Sequence, residues 1–273
     1  MTLETTPRSR LHFSLDGVAT STRHFRSHLR SRSVQSGISK DRPQVALGLL
    51  RSFQLTADGR EVAVSLSGQK LLALLALSVR PLTRTFIAGT LWSNCTEERA
   101  YGNLRSAIWR IRAQQQDVLE ACGECLTLTA DVKVDVREAE ALAARLLHGI
   151  ASGEHECDGS LLSWDLLPTW AEDWVLVERE RLRQMRMHAL ERWCERLVAA
   201  GRWGDAVSIG VLAVQAEPLR ESAHRALIAA HIAEGNVGEA LAQYAYFKRL
   251  VREELDLAPS AQMEELIGHI RMS

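Results

Sequence analysis

The sequence predicts a mainly α-helical protein with a small β content, and two features of its composition carry that prediction. Only 17 of the 273 residues are glycine and 6 are proline, so helices meet few breakers. Alanine and leucine are frequent, whereas runs of β-branched residues are short. A chain of this length can bury the cores of two ordinary domains. We therefore expect two folded domains, with helix dominating.

The charges are distributed unevenly along the chain, although the net charge is only -1. Residues 1–43 hold eight Lys/Arg against three Asp/Glu, and residues 44–114 hold nine against four. Residues 115–273 hold sixteen against twenty-seven. A basic front part joined to an acidic rear part indicates nucleic acid as a partner of the front.

The first 44 residues are rich in serine and arginine and lack a sustained apolar period. This composition predicts a disordered basic extension over residues 1–44. An organelle transit peptide has a similar composition. A basic tail that strengthens nucleic-acid contact, or a plain solvated extension, is the favoured interpretation.

Membrane and secreted locations are disfavoured. The longest strongly apolar run, "LLALLAL" at residues 71–77, is far shorter than the roughly 20 residues that a membrane span needs. The five cysteines are odd in number and unevenly spaced, which is not the pattern of a secreted disulfide framework. We expect a cytoplasmic protein that makes no contact with membranes.

Residues 45–136 begin with strands and continue with two helices. Alternation on either side of "ADGR" predicts a hairpin that turns at the Asp-Gly pair. The apolar stretch "QKLLALLALSV" predicts a buried helix that Pro81 ends. "TRTFIAGTLW" predicts a short second helix with Thr83 as its N-cap.

A third helix and a second hairpin complete this part. "YGNLRSAIWRIR" at residues 101–112 is the third helix, and "GECLTLTADVKVDV" alternates around Ala130 and Asp131, which predicts the hairpin turn there. Strands, three helices and a hairpin follow one another in a winged helix-turn-helix, a DNA-binding fold. In this fold the third helix enters the DNA groove and the hairpin is the wing. We therefore expect a winged-helix DNA-binding domain over residues 45–136.

The rear part, residues 137–273, reads as helix after helix and contains an internal repeat. The repeat has an offset of 34 residues, which is the period of a tetratricopeptide helix pair. Helices at 137–150 and 170–200 are expected to complete the stack. The recurring positions are Gly201, Gly204, Asp205 and Ala206, matched by Gly235, Gly238, Glu239 and Ala240.

The third helix has two different faces on a wheel of about 100° per residue. One is a narrow apolar stripe that should dock on the "LLALLAL" helix. The other face is polar and basic. Such a face is either simply solvated or binds DNA, and its place in the third helix of the predicted fold favours DNA. The stripe holds Leu104, Ala107, Ile108 and Ile111, and the polar face holds Asn103, Arg105, Ser106, Trp109, Arg110 and Arg112.

Each polar residue of this helix has an expected role. Asn103, Arg105 and Ser106, nearest its start, should face bases or adjacent phosphates, since Arg pairs with guanine and Asn with adenine in the major groove. Arg110 and Arg112 are expected to contact phosphates. For Trp109 two placements stay open, at the groove edge or under the wing near "LTLTADV", and we slightly favour the wing because an indole seldom stays exposed.

Two further groups have weaker assignments. Thr83 and Arg84 open the second helix, whose free N–H groups favour a phosphate, although plain N-capping explains them equally well. Arg99 has two alternatives, DNA or a pairing with Glu97 or Glu98.

Several stretches together resemble one known family. They are "LGLLRSFQLTADGREVAVSLSGQKLLALLAL", "FIAGTLW", "NLRSAIWRIR", "DVREAEAL", "LLPTWAEDWVLVERERLR" and "ELDLAPSAQMEEL". In this order and spacing, over roughly residues 45–272, the chain resembles the Streptomyces antibiotic regulatory protein (SARP) family. Its front resembles the OmpR-like DNA-binding domain of that family, and its rear resembles the bacterial transcriptional activator domain.

The resemblance implies a cytoplasmic transcription activator that binds direct repeats in promoter DNA and helps to recruit RNA polymerase. Two protomers would then sit on the direct repeat as a homodimer. The loop at 93–102, together with the acidic helical domain, would be available to RNA polymerase, through its sigma factor, or to another subunit. The residues of that loop that we assign to polymerase contact are Asn94, Thr96, Glu97 and Glu98.

The chain departs from the family in three ways. Its first 44 residues have no counterpart, and it lacks the ATPase module of larger members, since "LSGQKLL" does not have P-loop spacing. Asn103 and Arg105 stand where the family often has Thr and Gln, so the family's base preference is not carried over to this chain.

Other candidate motifs favour ordinary structure. "CGEC" at 122–125 fits a turn better than a metal or redox site, because no second cysteine pair completes a zinc site. Glu178, Glu180 and Glu191 are spaced as solvated ion pairs, and the tryptophans of "SWDLLPTWAEDW" fit interhelical packing. We expect no enzymatic activity, no metal and no cofactor.

One alternative of a different class stays open. The chain could be a helical-repeat adaptor whose basic N-terminal part binds protein or RNA instead of DNA. Binding to duplex DNA distinguishes this adaptor from the transcription regulator.

Overall fold

The computed structural model describes residues 44–114, 117–148 and 159–272. Predictions that concern residues 1–43 lie outside the described residues. The described residues form one compact unit. The boundary that the sequence predicts between residues 136 and 137 therefore stays a prediction.

A four-stranded sheet opens the described chain. Its strand order is β3-β2-β1-β7, with β1–β2 and β2–β3 antiparallel and β7 parallel to β1. Asp58 and Gly59 join β2 to β3 with φ of 50° and 75°, which are the left-handed values that a type I′ turn requires. The hairpin predicted at the Asp-Gly pair is thus confirmed. The strands are β1 (Val45–Gly48), β2 (Gln54–Ala57), β3 (Arg60–Glu61) and β7 (Lys133–Val134).

Three helices follow in the predicted order, but the third begins at Glu97, four residues before its predicted start at residue 101. The predicted loop at 93–102 is therefore wrong from Glu97 onward, where the chain is helical. The first, predicted from its apolar run, is buried along most of its length. The second begins after Thr83, whose Oγ1 accepts a hydrogen bond from the Phe86 N–H at 3.2 Å, so Thr83 is the N-cap as predicted. The helices are α1 (Leu66–Leu77), α2 (Arg84–Leu91) and α3 (Glu97–Ala113).

The second hairpin exists, but the predicted position of its turn is wrong. The turn lies at Gly123 and Glu124, where Gly123 has φ of 59°, and not at Ala130 and Asp131. After Leu128 the chain leaves this sheet and forms β7 on the other one, so the alternation in the sequence continues through two different sheets. The sheet has the order β4-β6-β5, from β4 (Leu82–Thr83), β5 (Leu119–Cys122) and β6 (Cys125–Leu128).

The rear part is a stack of helices. Each helix from α4 to α8 packs on the next, and α9 packs on both α7 and α8. The predicted repeat is confirmed, since Ala206 and Ala240 are fully buried at equivalent positions of α6 and α8. The helices are α4 (Asp135–His148), α5 (Asp173–Ala199), α6 (Trp203–Ala216), α7 (Glu221–Glu234), α8 (Val237–Leu255) and α9 (Ala261–Met272), with a 3₁₀ helix at Gly159–Leu162.

A continuous apolar core joins the front sheet and helices to the rear stack as far as α7. Polar contacts cross the same boundary. The N–H of Arg51 donates to the carbonyl of Asp165 at 2.8 Å, and Lys70 forms an ion pair with Glu172 at 2.5 Å. The winged-helix part is therefore held against the helical stack by both packing and hydrogen bonds.

His224 is a fully buried polar side chain inside the stack. Its Nε2 lies 2.8 Å from the carbonyl of Pro218, and its Nδ1 lies 2.8 Å from Nε2 of Gln243. The neutral ring satisfies both contacts, because Nε2–H donates to the carbonyl and Nδ1 accepts from the amide. Burial lowers the pKa of His224 below its ordinary value of 6.5, so we expect the folded protein to keep this ring neutral.

The buried ring should make the fold sensitive to mild acid. The unfolded chain takes up a proton near pH 6.5, whereas the folded chain takes it up only at its lower pKa. Stability from this group is therefore present above pH 6.5 and is lost as the pH falls, with a slope of up to about 1.4 kcal/mol per pH unit. Urea unfolding between pH 7.5 and 5 measures this slope.

The comparison uses two histidine variants. His224→Gln should be less stable at pH 7.5 but should lose less stability on acidification than the unchanged protein. The exposed His148 gives the matched variant, His148→Gln, which should keep the slope. An equal slope in all three proteins would contradict the assignment to His224.

Candidate nucleic-acid interface

The inner face of α3 is formed as its periodicity predicts. Leu104, Ala107, Ile108 and Ile111 are all buried, and α3 packs against α1 and α2. Because these contacts fix the rotation of the helix about its axis, they also determine which side chains lie outside.

The outer face of α3 is basic and accessible. Arg105, Arg110 and Arg112 are exposed, as is Ser106, while Asn103 is half-buried. Within the described part of the chain, none of the three arginine side chains has an ion pair or hydrogen bond to the protein. The cations are therefore free to meet an external anion.

Trp109 lies on the same outer face and is 70% exposed. Of the two placements that the sequence left open, the slightly favoured one under the wing is wrong, because a packed indole would be largely buried. The indole instead borders a shallow hollow of about 210 Å³ beside Val64, Ser65 and Gln114. Arg105, Trp109 and Arg112 are spaced i, i+4 and i+7, so they share one line along the helix.

The start of α2 lies next to the wing turn. Thr83 pairs with Cys125 across the sheet, and the N–H of Arg84 donates to the carbonyl of Glu124 at 3.0 Å. One of the free N–H groups of this helix end is thus used by the wing, while Thr83 itself is exposed. The structure brings the two predicted residues of α2, Thr83 and Arg84, beside the hairpin.

A hydrogen bond fixes α2 against α3. The hydroxyls of Thr85 and Tyr101 lie 2.6 Å apart and join the two helices on their exposed side. This contact and the buried stripe hold α3 in one orientation relative to α2 and the wing.

The segment assigned to polymerase contact lies just before and within the first turn of α3. Asn94, Thr96, Glu97 and Glu98 are all exposed. Glu97 and Glu98 also stabilise the helix, because carboxylates at a helix N-terminus interact favourably with its dipole. Arg99 forms no ion pair with either glutamate among the described residues.

Sequence reasoning missed Asp135, the first residue of α4. Its carboxylate accepts hydrogen bonds from the N–H groups of Leu49 and Leu50 at 2.8–2.9 Å and from the N–H of Val136 at 2.7 Å. Burial raises the pKa of this carboxyl in spite of the three donors, which lower it. The sequence does show an acidic residue where a strand meets a helix. It does not show the partners of that residue, because Leu50 and Leu49 lie 85 and 86 residues earlier in the chain.

The tryptophans of "SWDLLPTWAEDW" have packing roles, as predicted, but two of them pack against residues of the front part, which was not predicted. Trp170 stacks on Phe53 with ring centroids 6.3 Å apart and meets Trp174 edge-on. The guanidinium of Arg51 lies 3.4 Å from the ring centre of Trp164. These rings thus position the helical stack against the front sheet.

The remaining motifs have structural roles. "CGEC" forms the wing turn, and no cluster of His, Cys, Asp or Glu that could hold a metal occurs among the residues searched, which are those described. The three glutamates form ion pairs: Glu178 with Arg181, Glu180 with Arg183, and Glu191 with Arg220. Across the described residues, no helix is both long and apolar enough to cross a membrane.

Comparisons with known proteins cover most of the chain. The family model described as the bacterial transcriptional activator domain matches residues 134–271. The regulatory protein AfsR of Streptomyces griseus is 29% identical over 234 residues, which is 81% of this chain and 23% of that protein. AfsR of Streptomyces coelicolor is 28% identical over 231 residues, which is 80% of this chain and 23% of that protein. The chain thus spans less than a quarter of the length of these relatives.

A solved structure has the same fold. It is described as Mycobacterium tuberculosis EmbR in complex with low affinity phosphopeptide, and it superposes with a TM-score of 0.66 at 22% identity. The similarity covers 84% of this chain and 65% of that one. The predicted architecture, a small winged-helix part followed by a helical repeat part, is therefore confirmed.

Proposed function

Since the chain belongs to the bacterial transcriptional activator domain family, in agreement with its resemblance to the SARP regulators, we propose that it activates transcription by binding specific promoter DNA. The observation that carries this proposal is the outer face of α3, where three arginines are exposed and have no partner among the described residues. A helix of about 10–12 Å diameter fits the major groove, and its free cations can replace the counterions of the phosphates.

The roles along α3 follow from position along its exposed basic face. The structure starts α3 at Glu97, so Asn103, Arg105 and Ser106 lie in the middle of the helix and not in its first turn. They precede Arg110 and Arg112 on this face, and we assign base reading to them. Arg110 and Arg112 lie one to two turns later and are assigned to phosphates, which set the register but carry no sequence information.

Trp109 and the start of α2 complete the surface. The indole is exposed between Arg105 and Arg112 on one line of the helix, so we assign it to the sugar–phosphate edge of the groove. Thr83 and Arg84 lie beside the wing turn and would contact a phosphate of the adjacent backbone.

The activating step would use a second surface. Asn94, Thr96, Glu97 and Glu98 are exposed at the opposite end of α3 from Arg112, so a bound protomer can present them to the sigma factor of RNA polymerase. Two protomers would occupy a direct repeat as a homodimer on DNA. In this role the chain needs no catalytic step and no cofactor, and it works in the cytoplasm, where the chromosome lies.

Binding to duplex DNA from the protein's own locus tests the proposal. Fluorescence anisotropy with fragments from upstream of the neighbouring genes should find at least one fragment that is bound much more tightly than a scrambled duplex of equal length. Affinity should fall steeply with salt, because phosphate contacts release counterions. If no duplex is retained at low salt, the adaptor that binds protein or RNA is the better description.

A further inference from the structure

The wing turn brings two thiols directly opposite each other. Cys122 is the last residue of β5 and Cys125 the first of β6, and they pair across the two-residue turn Gly123–Glu124. Both cysteines are free; Cys122 is exposed and Cys125 is half-buried. Their main chains pair in the sheet, but no role in the proposed DNA contacts is assigned to either thiol.

The pairing satisfies the spacing that a disulfide needs. Directly opposed residues of antiparallel strands have Cα atoms about 4.5–5.5 Å apart, and disulfides join Cα atoms about 4.4–6.8 Å apart. A bond between Cys122 and Cys125 therefore needs only rotation of the side chains and a small shift of the turn that brings the Cβ atoms about 1 Å closer.

The other described cysteines lack this arrangement. Cys95 donates its S–H to the carbonyl of Trp92 at 3.3 Å. Cys194 is fully buried, and burial raises the pKa of its thiol to about 12. Because the thiolate is the reactive form, Cys194 should be inert near neutral pH.

We propose that Cys122 and Cys125 form a dithiol modification site, which low-molecular-weight disulfides oxidise to an intrachain disulfide. The Cys122 thiolate, the more exposed one, attacks one sulfur of the small disulfide, whose S–S bond breaks to release one thiol. The Cys125 thiolate then attacks the Cys122 sulfur and releases the second small thiol. The two cysteines together lose two electrons and two protons, which leave in the two small thiols.

Because the bridge lies beside the start of α2, it should also weaken DNA binding, and this consequence rests on the proposed function. Thr83 pairs with Cys125, and the N–H of Arg84 donates to the carbonyl of Glu124. A bridge draws the Cβ atoms of the opposed residues together by about 1 Å. This shift moves the wing turn relative to Thr83 and Arg84, the residues that we assign to a phosphate. We expect oxidised protein to bind every duplex about three- to tenfold more weakly, the effect of about one hydrogen bond.

Thiol mapping of the whole chain tests the modification site. The full chain is incubated with oxidised glutathione, and free thiols are then counted and mapped by mass spectrometry after digestion. We expect the loss of two hydrogens in the peptide that holds Cys122 and Cys125, full reversal by dithiothreitol, and a stable glutathione adduct instead in Cys122→Ser or Cys125→Ser. A disulfide that joins other cysteines, or an unbridged adduct in the unchanged protein, would overturn the proposal.

Two further measurements separate the remaining outcomes. If stoichiometric zinc binds to the reduced protein through these thiols and prevents bridging, the site is a metal site and the proposal fails. Anisotropy on reduced and oxidised protein then tests the effect on DNA, with the double variant Cys122→Ser/Cys125→Ser as a control that should not respond to oxidant. Equal affinities would overturn the weakening, whereas a reduced protein that binds no DNA would overturn the proposed function and leave the thiol mapping valid.

Discussion

Arg105→Ala is expected to remove a large part of the preference of the protein for its own site over scrambled DNA. Arg105 is exposed in the middle of α3, and in the major groove a guanidinium can form two hydrogen bonds to the O6 and N7 atoms of guanine. One such pair contributes roughly 1–3 kcal/mol of discrimination, which is about five- to 150-fold in relative affinity. The affinity for scrambled duplex should change much less, because non-specific binding depends on phosphates.

Arg112→Ala is the matched variant, since it removes the same side chain from the same line of the same helix. It should weaken binding to specific and scrambled duplexes by equal factors and reduce the slope of log affinity against log salt by about one unit. Anisotropy titrations of both variants on both duplexes at several salt concentrations measure these quantities. Equal losses on the two duplexes for Arg105→Ala would remove Arg105 from base reading.

Asp135→Ala is expected to destabilise the fold by about 3 kcal/mol, because it leaves the N–H groups of Leu49 and Leu50 without an acceptor in a buried position. Leu49 is fully buried and Leu50 nearly so. Water has little access to these donors, and a small side chain at 135 cannot reach them. Equilibrium unfolding in urea, followed by far-UV circular dichroism, measures the loss.

Two variants test the cause of that loss. Asp135→Asn keeps one acceptor oxygen and should show a smaller loss than alanine does. Glu138→Ala removes an exposed carboxylate from the first turn of the same helix, and should cost only a few tenths of a kcal/mol. Similar losses for Asp135→Ala and Glu138→Ala would mean that helix electrostatics, and not the hydrogen bonds across the junction, explain the effect.

The sequence predicted helices, turns and the repeat correctly where the pattern depends only on nearby residues or on an internal copy of the same segment. The stripe of α3, the Asp58-Gly59 turn and the 34-residue repeat all depend on neighbours within a few residues or on an internal copy. The turn of the second hairpin was misplaced because apolar and polar residues alternate in the same way before and after a turn. This alternation identifies strands but does not show which strands pair with each other. Lys133 and Val134 pair with β1, almost ninety positions earlier in the chain, and no local period contains that information.

The candidate site was predictable only as a set of accessible side chains. The helical wheel correctly separates the exposed arginines from the buried stripe, because exposure follows from the rotation of α3 on its core. The position of Trp109 was wrong, since it depends on where the wing lies relative to α3, which is a tertiary property. Contacts of these residues with DNA and polymerase stay predictions.

The parallel pairing of β1 with β7 has a consequence for how the protein can be controlled. The match to the activator-domain family begins at residue 134, which lies inside β7. The first residue of that family's domain therefore belongs to the edge strand of the front sheet. The chain has no free linker at this point on which the two parts could turn independently. A partner that shifts the helical stack would therefore move α3 with it, and under the proposed function this movement would change the angle at which α3 meets DNA.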